Sequence, residues 1–124
     1  MKQERPVNLS LSTIRFPIAA IVSILHRLSG VVLFLLIPFM LWVFGHSMLS
    51  EEGFLDIQDC LTSLLGKCII WLVLSALVYH LLAGIRHLLM DAGVGETRSS
   101  GSVAAKITLI LGVVCALLLG VWLW

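Results

Sequence analysis

The order of apolar and polar residues divides the chain into three long hydrophobic runs separated by two short polar stretches. Leu28 to Ser50 contains no Asp, Glu, Lys or Arg. As a helix rising about 1.5 Å per residue it covers roughly 34 Å, enough to cross the hydrocarbon layer with a slight tilt. Pro38 lies in its middle, where a proline bends a helix. A second run begins at Cys60, is interrupted only by Lys67 and continues to about Met90, with Trp71 suited to the outer interface. The third, Ile107 to Trp124, closes on Trp122 and Trp124, which suit an interfacial belt. Between the runs, Glu51 to Asp59 reads as an acidic loop containing Gly53, and Asp91 to Lys106, rich in Gly and Ser, reads as a polar connector. Phe16 to Leu25 is apolar but too short to span alone, although Pro17 suits the first turn of a helix entering the membrane there. The predicted organisation is one membrane-anchor domain over 1–124. It has a cytoplasmic or interfacial segment at 1–22 and spans at about 23–50, 60–90 and 105–124.

Composition sharpens this to a class. Of the 124 residues, 60% are hydrophobic and 12% charged, and the mean hydropathy is +1.09. So few solvating side chains cannot cover a soluble domain of this size, so the chain is expected to be an all-α integral membrane protein with three transmembrane helices. The formal charge of +1, with no basic patch interleaved with aromatics, excludes nucleic acid as a partner. Met1 to Arg15 lacks the apolar core and cleavage site of a signal peptide and is expected to be retained. Lys2, Arg5, Arg15 and Arg27 precede or open the first span, Arg86, Arg98 and Lys106 flank the second connector, and Lys67 alone lies by the acidic stretch. The positive-inside rule then predicts a cytoplasmic N-terminus and second connector, with the C-terminus periplasmic.

One stretch concentrates the chemistry. VYHLLAGIRHLLMDAG, Val78 to Gly93, puts His80 inside an apolar run and ends it with Arg86, His87 and Asp91. At 100° per residue, Gly84, His87 and Asp91 lie within about 40° of His80, with Ala76 and Ala83 close beside them. An ionisable group at membrane depth usually marks a site, and a neutral imidazole binds metal. The stripe is narrow, polar and floored by small residues, and it could hold a haem. Ser23, His26 and Arg27 form a second polar cluster at the predicted cytoplasmic entrance of the first span, Ser23 and Arg27 being one helical turn apart. His80 lies about 9 Å deeper than Arg86 along its helix. A haem with its iron on His80 could therefore direct its propionates toward His26 and Arg27, and a small polar-headed ligand could equally bond to Ser23 and Arg27. Arg27 and Arg86 also read as simple interfacial anchors, and His80 as a hydrogen-bonding group between helices. His46, near the outer end of the first span, reads as an ordinary interfacial residue.

Other chemistry is not encoded. Cys60, Cys68 and Cys115 have no metal-ligand spacing and read as packing groups. There is no C-x-x-C-H for covalent haem, no phosphate loop and no nucleophile constellation.

The segments RPVNLSLSTIRFPIAAIVSILHRLSG, Arg5 to Gly30, and YHLLAGIRHLLMD, Tyr79 to Asp91, together about 39 of the 124 residues, resemble the cytochrome b membrane-anchor subunit of succinate dehydrogenase in order, spacing and topology. The resemblance implies that the chain and a second three-span anchor hold one haem b between them in the bacterial inner membrane. The two anchors would bind the iron–sulfur and flavoprotein subunits and pass electrons from succinate to ubiquinone. It matches His80 to the axial haem ligand, His26 and Arg27 to residues near the propionates, and Ser23 with Arg27 to the quinone-binding pair. Gly84 and His87 share the cofactor stripe. FAD and iron–sulfur clusters would reside in the partner subunits only, since this chain carries neither motif.

A six-coordinate iron needs two axial ligands, and His87 is about 10 Å from His80 along the helix. His26 and His46 lie at the ends of the first span and the third span has no histidine, so the second ligand is expected from another chain in a hetero-oligomeric helix bundle. The competing readings are a cofactor-free structural anchor and a small transporter subunit using His80 in a proton path.

Overall fold

The computed structural model describes residues 15–95 and 97–124. Four helices follow one another: α1, Ile18–Leu49; α2, Glu51–Thr62; α3, Leu64–Asp91; and α4, Arg98–Leu123. No strand occurs among the described residues. The three long helices have 32, 28 and 26 residues, and each is apolar enough and long enough to cross a bilayer, as the hydrophobic runs predict.

Each helix start has a local chemical cause. Pro17 supplies a fixed φ of −63° ahead of α1, and its carbonyl accepts from the Ala20 amide at 2.9 Å. Ser50, extended after α1, turns the chain and caps α2, its Oγ accepting from the Gly53 amide at 3.0 Å. Ser63 repeats the device for α3 by accepting from the Gly66 amide at 3.1 Å. Thr97 repeats it for α4 by accepting from the Ser100 amide at 3.2 Å. Such caps satisfy donors that the first turn of a helix cannot pair internally.

The boundaries depart from those read off the sequence at four places, one of them the second span, which begins at Leu64 rather than about 60 because Ser63 caps α3 there. The acidic stretch expected as a loop is helix α2, whose first turn carries Glu51 and Glu52 at the favourable end of the helix dipole. Its apolar residues Phe54, Ile57 and Leu61 face Met40, Val43 and Phe44 of α1 across a shared cleft. Buried Gly53 makes the fold-back possible, because a Cβ there would stand 2.7 Å from the His46 carbonyl. At the N-terminal end, α1 begins at Ile18, ahead of the expected position 23. Similarly, α4 begins at Arg98 rather than about 105, because Thr97 draws the Ser-rich end of the connector into its first turns. The remaining turn uses Gly93 and Gly95 at φ of 84° and 82°, values that only glycine adopts freely.

The helices pack through small residues. Val22 of α1, Ala83 of α3 and Ala105 of α4 are 1%, 2% and 0% exposed and form the core where the three long helices meet. Ala83, expected to floor the histidine stripe, belongs to this junction instead. Below it, α3 and α4 run antiparallel with aromatic rings set into glycine notches. Tyr79 lies over Gly112, where a Cβ would meet its ring at 3.0 Å, and Trp71 lies over Gly120. The ring polar groups are satisfied: Trp71 Nε1–H donates to the Ala116 carbonyl at 2.7 Å and Tyr79 O–H to the Val22 carbonyl at 3.1 Å. Trp71 is therefore a helix-pairing residue rather than a free interfacial one. Outside these contacts the helices present apolar side chains outward, among them Phe34, Leu35, Leu117 and Leu118. Such a surface suits lipid or other membrane helices rather than water.

Candidate functional site

The junction of α1 and α3 collects three of the four histidines. His26 reaches across from α1 to His80, with ring centroids 4.3 Å apart, and to His87, with centroids 6.3 Å apart. It passes over Gly84, where a Cβ would make ordinary contact with His26 Nε2 at 3.4 Å. Gly30 is similarly placed for His80: a Cβ at position 30 would lie 3.0 Å from His80 Cε1. Small residues lie where each imidazole passes, and the fit is tight at Gly30.

The hydrogen bonds of His80 define its tautomer. Nδ1 lies 3.1 Å from the His26 carbonyl and 3.0 Å from Ser29 Oγ. A carbonyl only accepts. The Ser29 hydroxyl directs its single proton to that same carbonyl at 2.8 Å, so toward His80 it too presents a lone pair. Both neighbours of Nδ1 therefore act as acceptors, which in the neutral imidazole puts the proton on Nδ1 and leaves Nε2 its lone pair. Metal-bound histidines show this arrangement, one ring nitrogen donating to an oxygen while the other binds the metal. Ser29 is itself buried, at 8% exposure, which shields the hydrogen bonds from water.

Of the residues singled out by sequence, His26, His80, Gly84 and His87 come together here. Ser23 lies one turn before His26 on α1 and is half-buried, while Arg27 is exposed and Asp91 is exposed at the end of α3. His46 is remote: its ring stacks on Trp42 at 5.6 Å near the far end of α1. Ser29 and Gly30, adjacent in the LHRLSG stretch, carry no role in the sequence pattern by themselves, because their importance depends on which face of α1 meets α3. Arg86 departs from the expected exposed anchor. It is 8% exposed, and its Nη2 donates to the Gly101 carbonyl of α4 at 3.3 Å.

Three apolar helices of spanning length, packed through small residues around a histidine cluster, define a multi-pass membrane protein with a built polar site between its helices. The sequence matches the succinate dehydrogenase/fumarate reductase transmembrane subunit family over residues 1–120, and the chain belongs to that family. It is 41% identical to the succinate dehydrogenase cytochrome b556 subunit of Coxiella burnetii over the full length of both chains. It is 35% identical to that of Rickettsia felis over 98% of this chain and 91% of the relative. To that of Paracoccus denitrificans it is 40% identical over 73% of this chain and 70% of the relative.

Proposed function

We propose that the chain is the cytochrome b anchor of a succinate dehydrogenase in the bacterial inner membrane, holding haem b through His80 and forming part of a ubiquinone-reduction site with Ser23 and Arg27. The observation that carries this reading is the pair of oxygens at His80 Nδ1, an arrangement that in the neutral imidazole leaves Nε2 available to bind iron. The names of the relatives, each a cytochrome b subunit of succinate dehydrogenase, support it.

The residues present fit a haem. Gly30 and Gly84 leave the imidazoles unobstructed, and His26, His87 and Arg27 supply cationic or donor groups for propionates. When bound, the haem supplies a one-electron store whose potential follows its axial ligands and burial. His80 would be one of those ligands. His26, whose ring centroid is 4.3 Å from that of His80, would instead serve as a hydrogen-bonding neighbour of the haem. The second ligand is assigned to a partner anchor chain, which would also cover part of the exposed apolar surface.

Ser23 and Arg27 occupy the entrance of α1 beside this cluster. The Ser23 hydroxyl would orient a quinone carbonyl, and the Arg27 guanidinium would stabilise negative charge as it develops on that oxygen, the role that fixed donors play at other oxyanions. With Arg27 at an exposed position, protons for the reduced quinone would come from the aqueous side of the site. Electrons would arrive from iron–sulfur and flavin-bearing subunits, on the side of the membrane that the basic residues mark as cytoplasmic.

The reduced-minus-oxidised visible spectrum of the purified complex tests the reading. A b-type band in a complex that retains its soluble subunits is expected. A complex with those subunits and no such band would contradict haem binding and leave a cofactor-free anchor.

A further inference from the structure

Arg86 is a buried cation for which no carboxylate among the described residues provides a partner. It is 8% exposed. A guanidinium stays charged at physiological pH and offers five N–H donors. Its hydrogen bond to the described residues is the one from Nη2 to the Gly101 carbonyl, while Nε, also buried, has none. A charge held this far from water is stable only beside an opposite charge. The histidine cluster does not supply one, and it lies on the other flank of α3, toward α1.

Two cavities meet at Arg86. One, about 490 Å³, opens between the start of α1, the end of α3 and the N-terminus of α4, and is lined by Arg86, Thr97, Arg98 and Ser102. The N-terminal residues of α4 line this region, so the positive end of its dipole and two guanidinium groups make it attractive to an anion. The other, about 260 Å³, shares Arg86 and Met90 and runs between α3 and α4 along Leu82, Ile85, Ile107 and Leu111. It is an apolar groove on the outer surface of the bundle.

A cationic cavity at the helix ends continuing into an apolar groove has the form of one lipid molecule, an anionic head above a hydrocarbon chain. We propose that Arg86, with Arg98 and the N-terminus of α4, binds the phosphate of an anionic phospholipid whose acyl chain lies in the α3–α4 groove. A free phosphate would satisfy the guanidinium but not fill the groove. A carboxylate from a partner subunit would likewise leave the groove without an occupant. The lipid would neutralise Arg86 and brace the α3–α4 contact independently of haem.

The test is native mass spectrometry of the delipidated whole complex titrated with phosphatidylglycerol, and with phosphatidylcholine of the same acyl chains. The wild type is expected to take one phosphatidylglycerol more tightly than phosphatidylcholine. Arg86→Gln should weaken that binding by roughly tenfold or more. Since Arg86→Gln removes a buried group, Arg98→Gln at an exposed position gives a second reading that does not depend on its folding, and a severalfold loss is expected. Ile107→Trp should obstruct the groove and weaken phosphatidylglycerol while leaving inorganic phosphate able to compete. Three outcomes would overturn the proposal: equal affinity for the two lipids; wild-type binding in Arg98→Gln, as expected if a subunit carboxylate neutralises Arg86; or unchanged lipid binding in Ile107→Trp, which would reduce the site to a simple anion pocket.

Discussion

The Ser29 hydroxyl lies 3.0 Å from His80 Nδ1 while giving its own proton to the His26 carbonyl. Ser29 on α1 thus joins the His26 carbonyl as a second acceptor for His80 Nδ1 on α3 and links the three groups in one hydrogen-bonded set. Ser29→Ala removes one of the two acceptors for Nδ1–H and leaves the carbonyl. Loss of such an outer hydrogen bond typically costs 10- to 100-fold in metal affinity, and with one acceptor remaining about tenfold is expected. Haem should still assemble but dissociate sooner in detergent and titrate at a shifted potential. Wild-type retention and potential in Ser29→Ala would remove this serine from the support of His80.

The two glycines within α1 give a paired test. A Cβ at Gly30 would stand 3.0 Å from His80 Cε1, whereas at Gly45 nothing lies within 4 Å. Gly30→Ala should displace the His80 ring and alter the haem spectrum despite the better helix propensity of alanine. Gly45→Ala should leave the spectrum unchanged and stabilise the helix by up to about 0.5–1 kcal/mol. Identical spectra for both variants would show that the close approach is not needed.

Quinone reduction should separate from haem binding. Ser23→Ala removes a small hydroxyl from a half-buried position, so the complex and its haem should persist while quinone turnover or affinity falls. A lost hydrogen bond of about 1–3 kcal/mol corresponds to roughly one to two orders of magnitude. Arg27→Leu should be more severe, since its charge would serve quinone and propionate together. Succinate-dependent reduction of an artificial acceptor upstream of the anchor should continue in both. Normal quinone kinetics in both variants would reduce these residues to interfacial anchors.

Topology provides an independent check on where the proposed quinone site opens. Reporter fusions within the α2 segment after Glu52 should signal the outer side, and fusions after Ser100 the cytoplasm, as the distribution of lysine and arginine predicts. The reverse pattern would move Ser23 and Arg27 to the wrong face for electrons arriving from cytoplasmic subunits.

The three spans were legible because charge is nearly absent from them, a signal that needs no tertiary information. The existence of α2 was not, because its acidic composition resembles a loop. Its stability depends on the Ser50 cap and on Gly53 clearing the His46 carbonyl, a contact between helices. Within the site, His26, His80, Gly84 and His87 stand out in sequence as polar or small residues among apolar ones. Ser29 lies in the same LHRLSG stretch, but its contact with His80 follows from the rotation of α1 against α3. Arg86 was misleading for the same reason. Its position near a span end suggests a solvated anchor, whereas the close packing of Ala83 and Ala105 brings α4 over it. Helix faces can be read from spacing, but which face meets which neighbour is settled by packing.

The most direct test of haem ligation by this chain compares His80→Leu with His46→Ala in the purified complex, using the visible spectrum together with a spin-state measurement. His80→Leu deletes the ring whose Nε2 is free for iron, while His46 stacks on Trp42 far along α1. Packing and the partner's ligand can retain some haem in His80→Leu, so spin state is the informative signal. The account predicts a changed spin state or loss of haem in His80→Leu and an unaltered low-spin b-type spectrum in His46→Ala. An unaltered spectrum and spin state in His80→Leu would contradict it.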